Sequence, residues 1–198
     1  MKIAVFIDRD GVINKEIKQT KIKDNEGRSC SDPLCAEDLI FFEGVKEAFK
    51  LMKEENFLRI IVSNQAGFAK GFFNKDVLNE VKEKLQNELE PTQIYYCLHH
   101  EDYTGPCECK KPKKGMLFEA MRDHDIDLSS SYMIGDRRND MKFGDQCKKC
   151  FYIDTRKGEI AKEEVAKLNP ELQKKVIIVN SLLEAVKIII KENNYQKK

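Results

Sequence analysis

Short apolar runs recur along the chain at 3–7 (IAVFI), 58–62 (LRIIV), 94–98 (IYYCL), 132–134 (YMI), 150–153 (CFYI) and 176–179 (VIIV). They are continuous rather than alternating, which predicts strands buried on both faces of a parallel sheet. Between them the apolar positions fall at helical spacing. Residues 45–55 carry Val45, Ala48, Phe49 and Met52, and residues 75–89 carry Val77, Val81, Leu85 and Leu89 behind an Asn74 cap. Residues 115–124 carry Leu117, Ala120, Met121 and His124, and residues 159–168 carry Ile160, Val165 and Leu168. A last helix opens at Ser181, with Glu184 at capping-box spacing. Strands alternating with helices predict an α/β fold, a doubly wound parallel sheet with helices on both faces. The stripes, His124 among them, are read as core packing.

Two stretches break the pattern. Residues 14–38 are polar and irregular, with Pro33 and two cysteines, and read as an insertion after the first strand. Residues 99–115 hold His, Cys, Pro, Gly and Lys with little apolar content. Neither has the makings of a separate domain, so 1–193 reads as a single domain carrying both, and 194–198 as a tail expected to fray.

Candidate chemistry collects at the strand ends. In a doubly wound sheet, ligands bind beyond the carboxyl ends of the strands. The first strand ends in Asp8-Arg9-Asp10-Gly11. Asp8 and Asp10 lie two apart, so along extended chain their side chains share a side and repel. A divalent cation, or protonation of one carboxyl, makes that tolerable. Gly11 allows a tight turn and the close approach of a ligand. The spacing does not fit a calcium-binding EF-hand loop, which needs glycine at its sixth position and glutamate at its twelfth. The second strand ends at Ser63, a donor to a phosphate oxygen. Lys111, before Pro112, offers a point charge. The run at 132–134 leads into Gly135-Asp136, with Asp140 one helical turn on. An acid pair, a hydroxyl, a lysine and a second acid pair thus follow in order.

With these four motifs, at Asp8-Arg9-Asp10-Gly11, Ser63-Asn64-Gln65, Lys111 and Gly135-Asp136 with Asp140, the chain resembles the haloacid-dehalogenase (HAD) superfamily of phosphatases over roughly residues 1–155. The "SNQAG" run and the cysteine-rich loop before Lys111 resemble the heptose-bisphosphate and histidinol-phosphate phosphatases within it. The resemblance implies a HAD/Rossmann-like core with no large cap domain, and Mg²⁺-dependent hydrolysis of a small phosphorylated sugar or metabolite through an aspartyl-phosphate. Asp8 is then the nucleophile, and Asp10 the acid and later the base. Asp8, the backbone carbonyl of Asp10 and Asp136 hold Mg²⁺, with Asp140 expected to brace them from behind. Ser63 and Lys111 steady the transferring phosphoryl oxygens. Asn64, Gln65, Lys110 and Arg137 are the candidate substrate-binding residues. The family position before the catalytic lysine is often arginine. Lys110 stands there, and a lysine makes no planar two-pronged clamp on a second phosphate.

Cys97, His99, Cys107 and Cys109 form a Cys-x-His…Cys-x-Cys set, with His100 a competing imidazole. Three thiolates and one imidazole complete a closed tetrahedral zinc site, a structural one. The family pattern selects His99. Cys30, Cys35, Cys147 and Cys150 are a weaker second set, with Cys150 opening a strand and reading as core.

Charge and composition narrow the partners. The 35 basic and 34 acidic residues nearly cancel, at net +1, so no basic field draws the chain to nucleic acid or a membrane surface. A polynucleotide 3′-phosphatase, which shares the catalytic core, is thereby disfavoured. A non-enzymatic zinc-stabilised module would leave the acid pairs without a purpose. The apolar runs, about five residues long, are far below the ~20 of a membrane span. The chain is strand-like by Ile3 with no leader pattern ahead of it, so a cytoplasmic protein is expected. There the seven cysteines are expected to be thiols or metal ligands. The resemblance implies a monomer.

Overall fold

The apolar runs become a six-stranded sheet in a computed structural model that describes residues 1–17, 19–23, 27, 29–154 and 159–196. Strand β1 is Ala4–Ile7. After a two-stranded ribbon (β2, Gln19–Lys23; β3, Ser29–Cys30), the sheet continues through β4 (Leu58–Asn64), β5 (Gln93–Cys97), β6 (Tyr132–Gly135), β7 (Lys149–Ile153) and β8 (Val176–Val179). The order is β5-β4-β1-β6-β7-β8, and every neighbouring pair is parallel. The order reverses at β1, which is where such a sheet opens a crevice.

The continuous apolar runs follow from double-sided burial. Val5 and Ile7 point to one face and Ala4 and Phe6 to the other, all four at 0% exposure. On the first face pack α1 (Val45–Glu54), α2 (Lys75–Leu89) and α8 (Leu182–Gln196). On the second pack α4 (Gly115–Asp123), α5 (Arg138–Phe143) and α6 (Glu159–Ala166). Asn74 caps α2 as its position predicts, accepting from the backbone of Asp76 and Val77 at 3.0 and 3.1 Å. At α8 the Ser181 hydroxyl accepts from Glu184 N at 3.1 Å, but Glu184 accepts from Asn180 N at 2.8 Å, one residue earlier than a capping box requires.

Three features were not read from the pattern. The insertion at 14–38 holds the antiparallel ribbon β2–β3. Its base is cinched by Lys15 N to Ile40 O (2.9 Å) and Phe42 N to Ile13 O (3.0 Å). It is also tied to α2 by Lys84 Nζ to Ala36 O at 2.7 Å. Helix α5 starts inside the polar "DRRND" run, where only Asp140, Met141 and Phe143 are buried. Helix α8 continues to Gln196, into the segment expected to fray, because buried Asn193 keeps its last turn on the core. Residues 197–198 lie outside the described residues. Among the described residues no helix is long and apolar enough to cross a membrane.

Candidate active site

Sheet register brings the strand-end residues together. Ile7 pairs with Ile61 on one side and with Ile134 on the other. Asp8 therefore sits one residue short of the levels of Ser63 and Asp136, and its N–H continues the ladder to Ile134 O at 2.9 Å. Lys111 arrives from the loop after β5. Asn64 fixes its backbone twice, accepting from Lys111 N at 2.9 Å and donating to Lys111 O at 3.2 Å. The Lys111–Pro112 peptide is cis.

The Lys111 ammonium is 3% exposed and has three acceptors. They are Asp8 Oδ1 at 2.6 Å, Asp140 Oδ1 at 2.7 Å and Val62 O at 2.9 Å. Burial alone would discharge this lysine, but Asp140 and Asp8 outweigh burial and hold its pKa above the usual lysine range. Asp140 is occupied on both oxygens, since its Oδ2 accepts from Arg137 N at 3.0 Å at the start of α5.

Asp136 is the opposite case. Its Oδ1 is buried without a hydrogen-bond partner among the described residues. Arg137 Nε, at 3.9 Å, is beyond hydrogen-bond reach. One oxygen each from Asp8, Asp136 and Asp140 lie within 4.8 Å of one another. Burial, followed by the charge of Asp140, pushes Asp136 up to about 7. Burial also dominates at Asp8, which reaches about 8 although Lys111 pulls the other way. Clustered buried carboxylates of this kind are stable when ionised only if a cation joins them. An all-oxygen donor set with one orphaned oxygen fits a hard divalent cation such as Mg²⁺. Gly11 belongs to the same cradle. Its φ is +86°, and a Cβ there would lie 2.4 Å from Asp136 Oδ2.

Asp10 turns its carboxylate into a separate network. Oδ1 accepts from Arg9 Nε (3.1 Å), Arg9 Nη2 (2.9 Å) and Asn14 Nδ2 (3.0 Å). Oδ2 accepts from Gln65 Nε2 at 2.8 Å and, weakly, from Ser63 Oγ at 3.4 Å. Burial works against the charged form, but Arg9 and these hydrogen bonds win and hold Asp10 below the usual carboxylate range. Arg9 is 1% exposed, with its guanidinium 6.0 Å from the centre of the Tyr96 ring.

Above these groups lies a cavity of about 410 Å³. Asp8, Asp10, Ser63 and Lys111 line it on the sheet side, and Lys110 and Arg137 on its flank. Glu16, Ser29, Ser31 and Asp32 of the insertion line it as well. Arg137 and Glu16 form an ion pair between the β6–α5 loop and the insertion.

Cys97, His99, Cys107 and Cys109 converge beside the end of β5, with one ligand atom from each within 4.8 Å of the others. Cys97 Sγ is 3.0 Å from Cys109 Sγ and 3.7 Å from Cys107 Sγ, and His99 Nδ1 is 3.2 Å from Cys109 Sγ. His100 is engaged elsewhere, accepting from Asp102 N at 3.3 Å at the start of α3 (Glu101–Thr104). Three sulfurs and one imidazole nitrogen are the donor set of a closed zinc site; tetrahedral Zn–S bonds of about 2.3 Å put sulfurs about 3.8 Å apart, a spacing that Cys97 and Cys107 already have and to which Cys97 and Cys109 would have to open. Among the described residues the other cysteines form no such group. Cys150 is in the core, donating to Gly144 O at 3.3 Å, and Cys147 is buried nearby.

Residues 108–185 match the family model of HAD-hydrolase-like proteins. The chain is 32% identical over 196 residues to the D-glycero-β-D-manno-heptose-1,7-bisphosphate 7-phosphatase of Photorhabdus laumondii, covering 94% of each chain. It is 35% identical over 147 residues to the D-glycero-α-D-manno-heptose-1,7-bisphosphate 7-phosphatase of Campylobacter jejuni, covering 71% of this chain and 75% of that one. The chain belongs to the HAD-like hydrolases. The fold of this HAD protein is also that of the D,D-heptose 1,7-bisphosphate phosphatase of B. bronchiseptica, crystallised with magnesium and phosphate. That match has a TM-score of 0.76 at 22% identity, over 97% of this chain and 99% of the other. The named relatives are phosphatases, and the HAD chain is an enzyme of their class, a phosphoric monoester hydrolase.

The HAD site contains residues that the sequence did not single out. Arg9 lies inside the first motif, and the signal was a charged residue abutting a fully buried strand. Asn14, Glu16 and Asp32 lie in the irregular insertion, where no periodicity points inward. Asn64 and Gln65, expected at the substrate, have their side-chain amides on Lys111 and on Asp10 and Ser63.

Proposed function

We propose that this HAD phosphatase hydrolyses a small phosphorylated sugar, best matched by the 7-phosphate of D-glycero-D-manno-heptose 1,7-bisphosphate, through a covalent intermediate on Asp8. One observation carries the mechanism: Lys111 bridges Asp8 and Asp140 beside an Asp136 oxygen that has no hydrogen-bond partner among the described residues. The relatives' names supply the substrate class.

Asp8 Oδ attacks phosphorus, the phosphorus–oxygen ester bond breaks, and the leaving alkoxide takes a proton from Asp10. Asp10 must be protonated for that half. The dianionic phosphate arriving beside it opposes the pull of Arg9 and favours the protonated carboxyl. In the second half Asp10 removes a proton from water, which attacks the phosphoaspartate, releases phosphate and restores Asp8. Lys111 and Ser63 hold the phosphoryl oxygens on which charge spreads. Asp8, Asp136 and the Asp10 backbone carbonyl would hold Mg²⁺, which supplies charge neutralisation at the phosphoryl group. Asp140, taken up by Lys111 and the α5 N-terminus, braces the pair. Zinc in the Cys97–Cys109 loop would shape the wall next to Lys111, and no chemistry passes through it. Free thiols throughout support an enzyme of the cytoplasm, and the family resemblance supports a monomer.

Phosphate release from the heptose bisphosphate with and without Mg²⁺ tests this. Wild type is expected to turn over only with Mg²⁺, and D8N to lose at least about 10⁴-fold in kcat. Substantial activity in a folded D8N would exclude the covalent route. Histidinol phosphate is the second reading, because Lys110 weakens a clamp on a second phosphate, and the same assay ranks the two esters by kcat/KM.

A further inference from the structure

The insertion brings into the catalytic cavity a carboxylate that the hydrolysis does not use. Asp32 follows β3 and shares the cavity with Asp8, Ser63 and Lys111. It is fixed from two sides. Cys30 Sγ lies 3.7 Å from Asp32 O and 3.9 Å from its Oδ2. On the other side the carboxylate presses on the turn after β4, where a Cβ at Gly67 would lie 2.2 Å from Asp32 Oδ2.

Among the described residues, that long thiol contact is the only hydrogen bond its carboxylate receives. Arg9, the strongest nearby donor, has Nε and Nη2 on Asp10. A half-buried acceptor without donors is costly, and the cost is offset when a ligand brings donors. Phosphate oxygens bring none and are repelled. Hydroxyl groups bring one each, and a carboxylate accepts several. Ser31, on the same rim, both donates and accepts. Lys110 and Arg137, on the flank, give the cavity a cationic side, so its lining is divided between anion-seeking and hydroxyl-seeking groups.

We propose that Asp32, assisted by Ser31, binds the hydroxyl groups of the organic part of the ester and so sets a preference for polyhydroxylated phosphates. This rests on the phosphatase reading and adds a specificity determinant to it. The test compares wild type, D32N and D32S on two esters, the heptose 1,7-bisphosphate and p-nitrophenyl phosphate, which has no hydroxyl group. The ratio of kcat/KM for the sugar ester over the aryl ester is expected to fall about 10- to 100-fold in both variants, as for loss of a hydrogen bond to a charged group. A ratio within about twofold of wild type overturns the inference and leaves the phosphatase reading intact. So does a wild-type enzyme with no preference for the sugar ester. Wild type that releases phosphate from neither ester overturns the phosphatase reading, and this inference with it.

Discussion

The two ligand clusters flank the same loop and are built on opposite physical logics. The carboxylate cluster stands on strand ends at Asp8 and Asp136 and on α5 at Asp140, is buried, and already contains a counter-charge in Lys111. The Cys97–Cys109 cluster runs from the end of β5, where Cys97 is buried in the core, into a loop whose Cys107 and Cys109 pack against that core while His99 is exposed; its near cation is the exposed Lys113, on the Cys107 carbonyl at 2.7 Å. In the first, the fold supplies rigidity and a cation adjusts charge. In the second, a zinc ion would pin the exposed end of the loop to the core that Cys97 enters. Hard oxygen donors in one and soft sulfur donors in the other would keep Mg²⁺ and zinc from exchanging places.

The comparison can be broken most severely at Lys111. K111A removes the counter-charge from two buried carboxylates, which is expected to cost about 3–5 kcal/mol of stability and about 10³-fold in kcat. Denaturant unfolding and phosphate release measure the two separately. A stable, active K111A would mean that the carboxylates do not depend on it. Next is the thiol cluster. C109S is expected to abolish stoichiometric zinc and to lower stability by several kcal/mol, on the order of the coupling between metal and folding in small sites. Elemental analysis and melting curves check this, and an unchanged melting temperature would show that the loop holds itself.

The smallest effect is a pH dependence. Without a cation, the raised pKa values of Asp136 (about 7) and Asp8 (about 8) mean that the folded state holds protons the unfolded state has lost. Their ionisation therefore costs stability increasingly as pH rises from about 4 towards 8. Mg²⁺ binds the ionised carboxylates, so its stabilising effect should grow across that window. Melting temperatures with and without Mg²⁺ at several pH values measure it. A difference independent of pH would place the ion elsewhere.

The sheet and its main helices were legible because double-sided burial writes continuous apolar runs, as at Ala4–Ile7, and because Asn74 announces the start of α2. Helix α5 was not, since six residues opening on a charged run carry too little periodicity. The strand-end acids, Ser63 and Lys111 were legible because parallel topology sends every carboxyl end to one edge. The bracing was not. That Asn64 holds Lys111, that Arg9 and Gln65 hold Asp10, and that the insertion adds its Asp32 to the cavity lining all depend on side-chain directions, which spacing does not record.

The crowding of acceptors around the Lys111 ammonium has a kinetic consequence. All of its N–H bonds are committed before any ester arrives, and the Val62 carbonyl is fixed in the sheet. An incoming phosphoryl oxygen can bind only by taking the place of a carboxylate. If it displaces Asp8 Oδ1, the lysine moves its charge from the nucleophile to the phosphoryl group, leaving a more basic carboxylate beside a better-neutralised phosphorus.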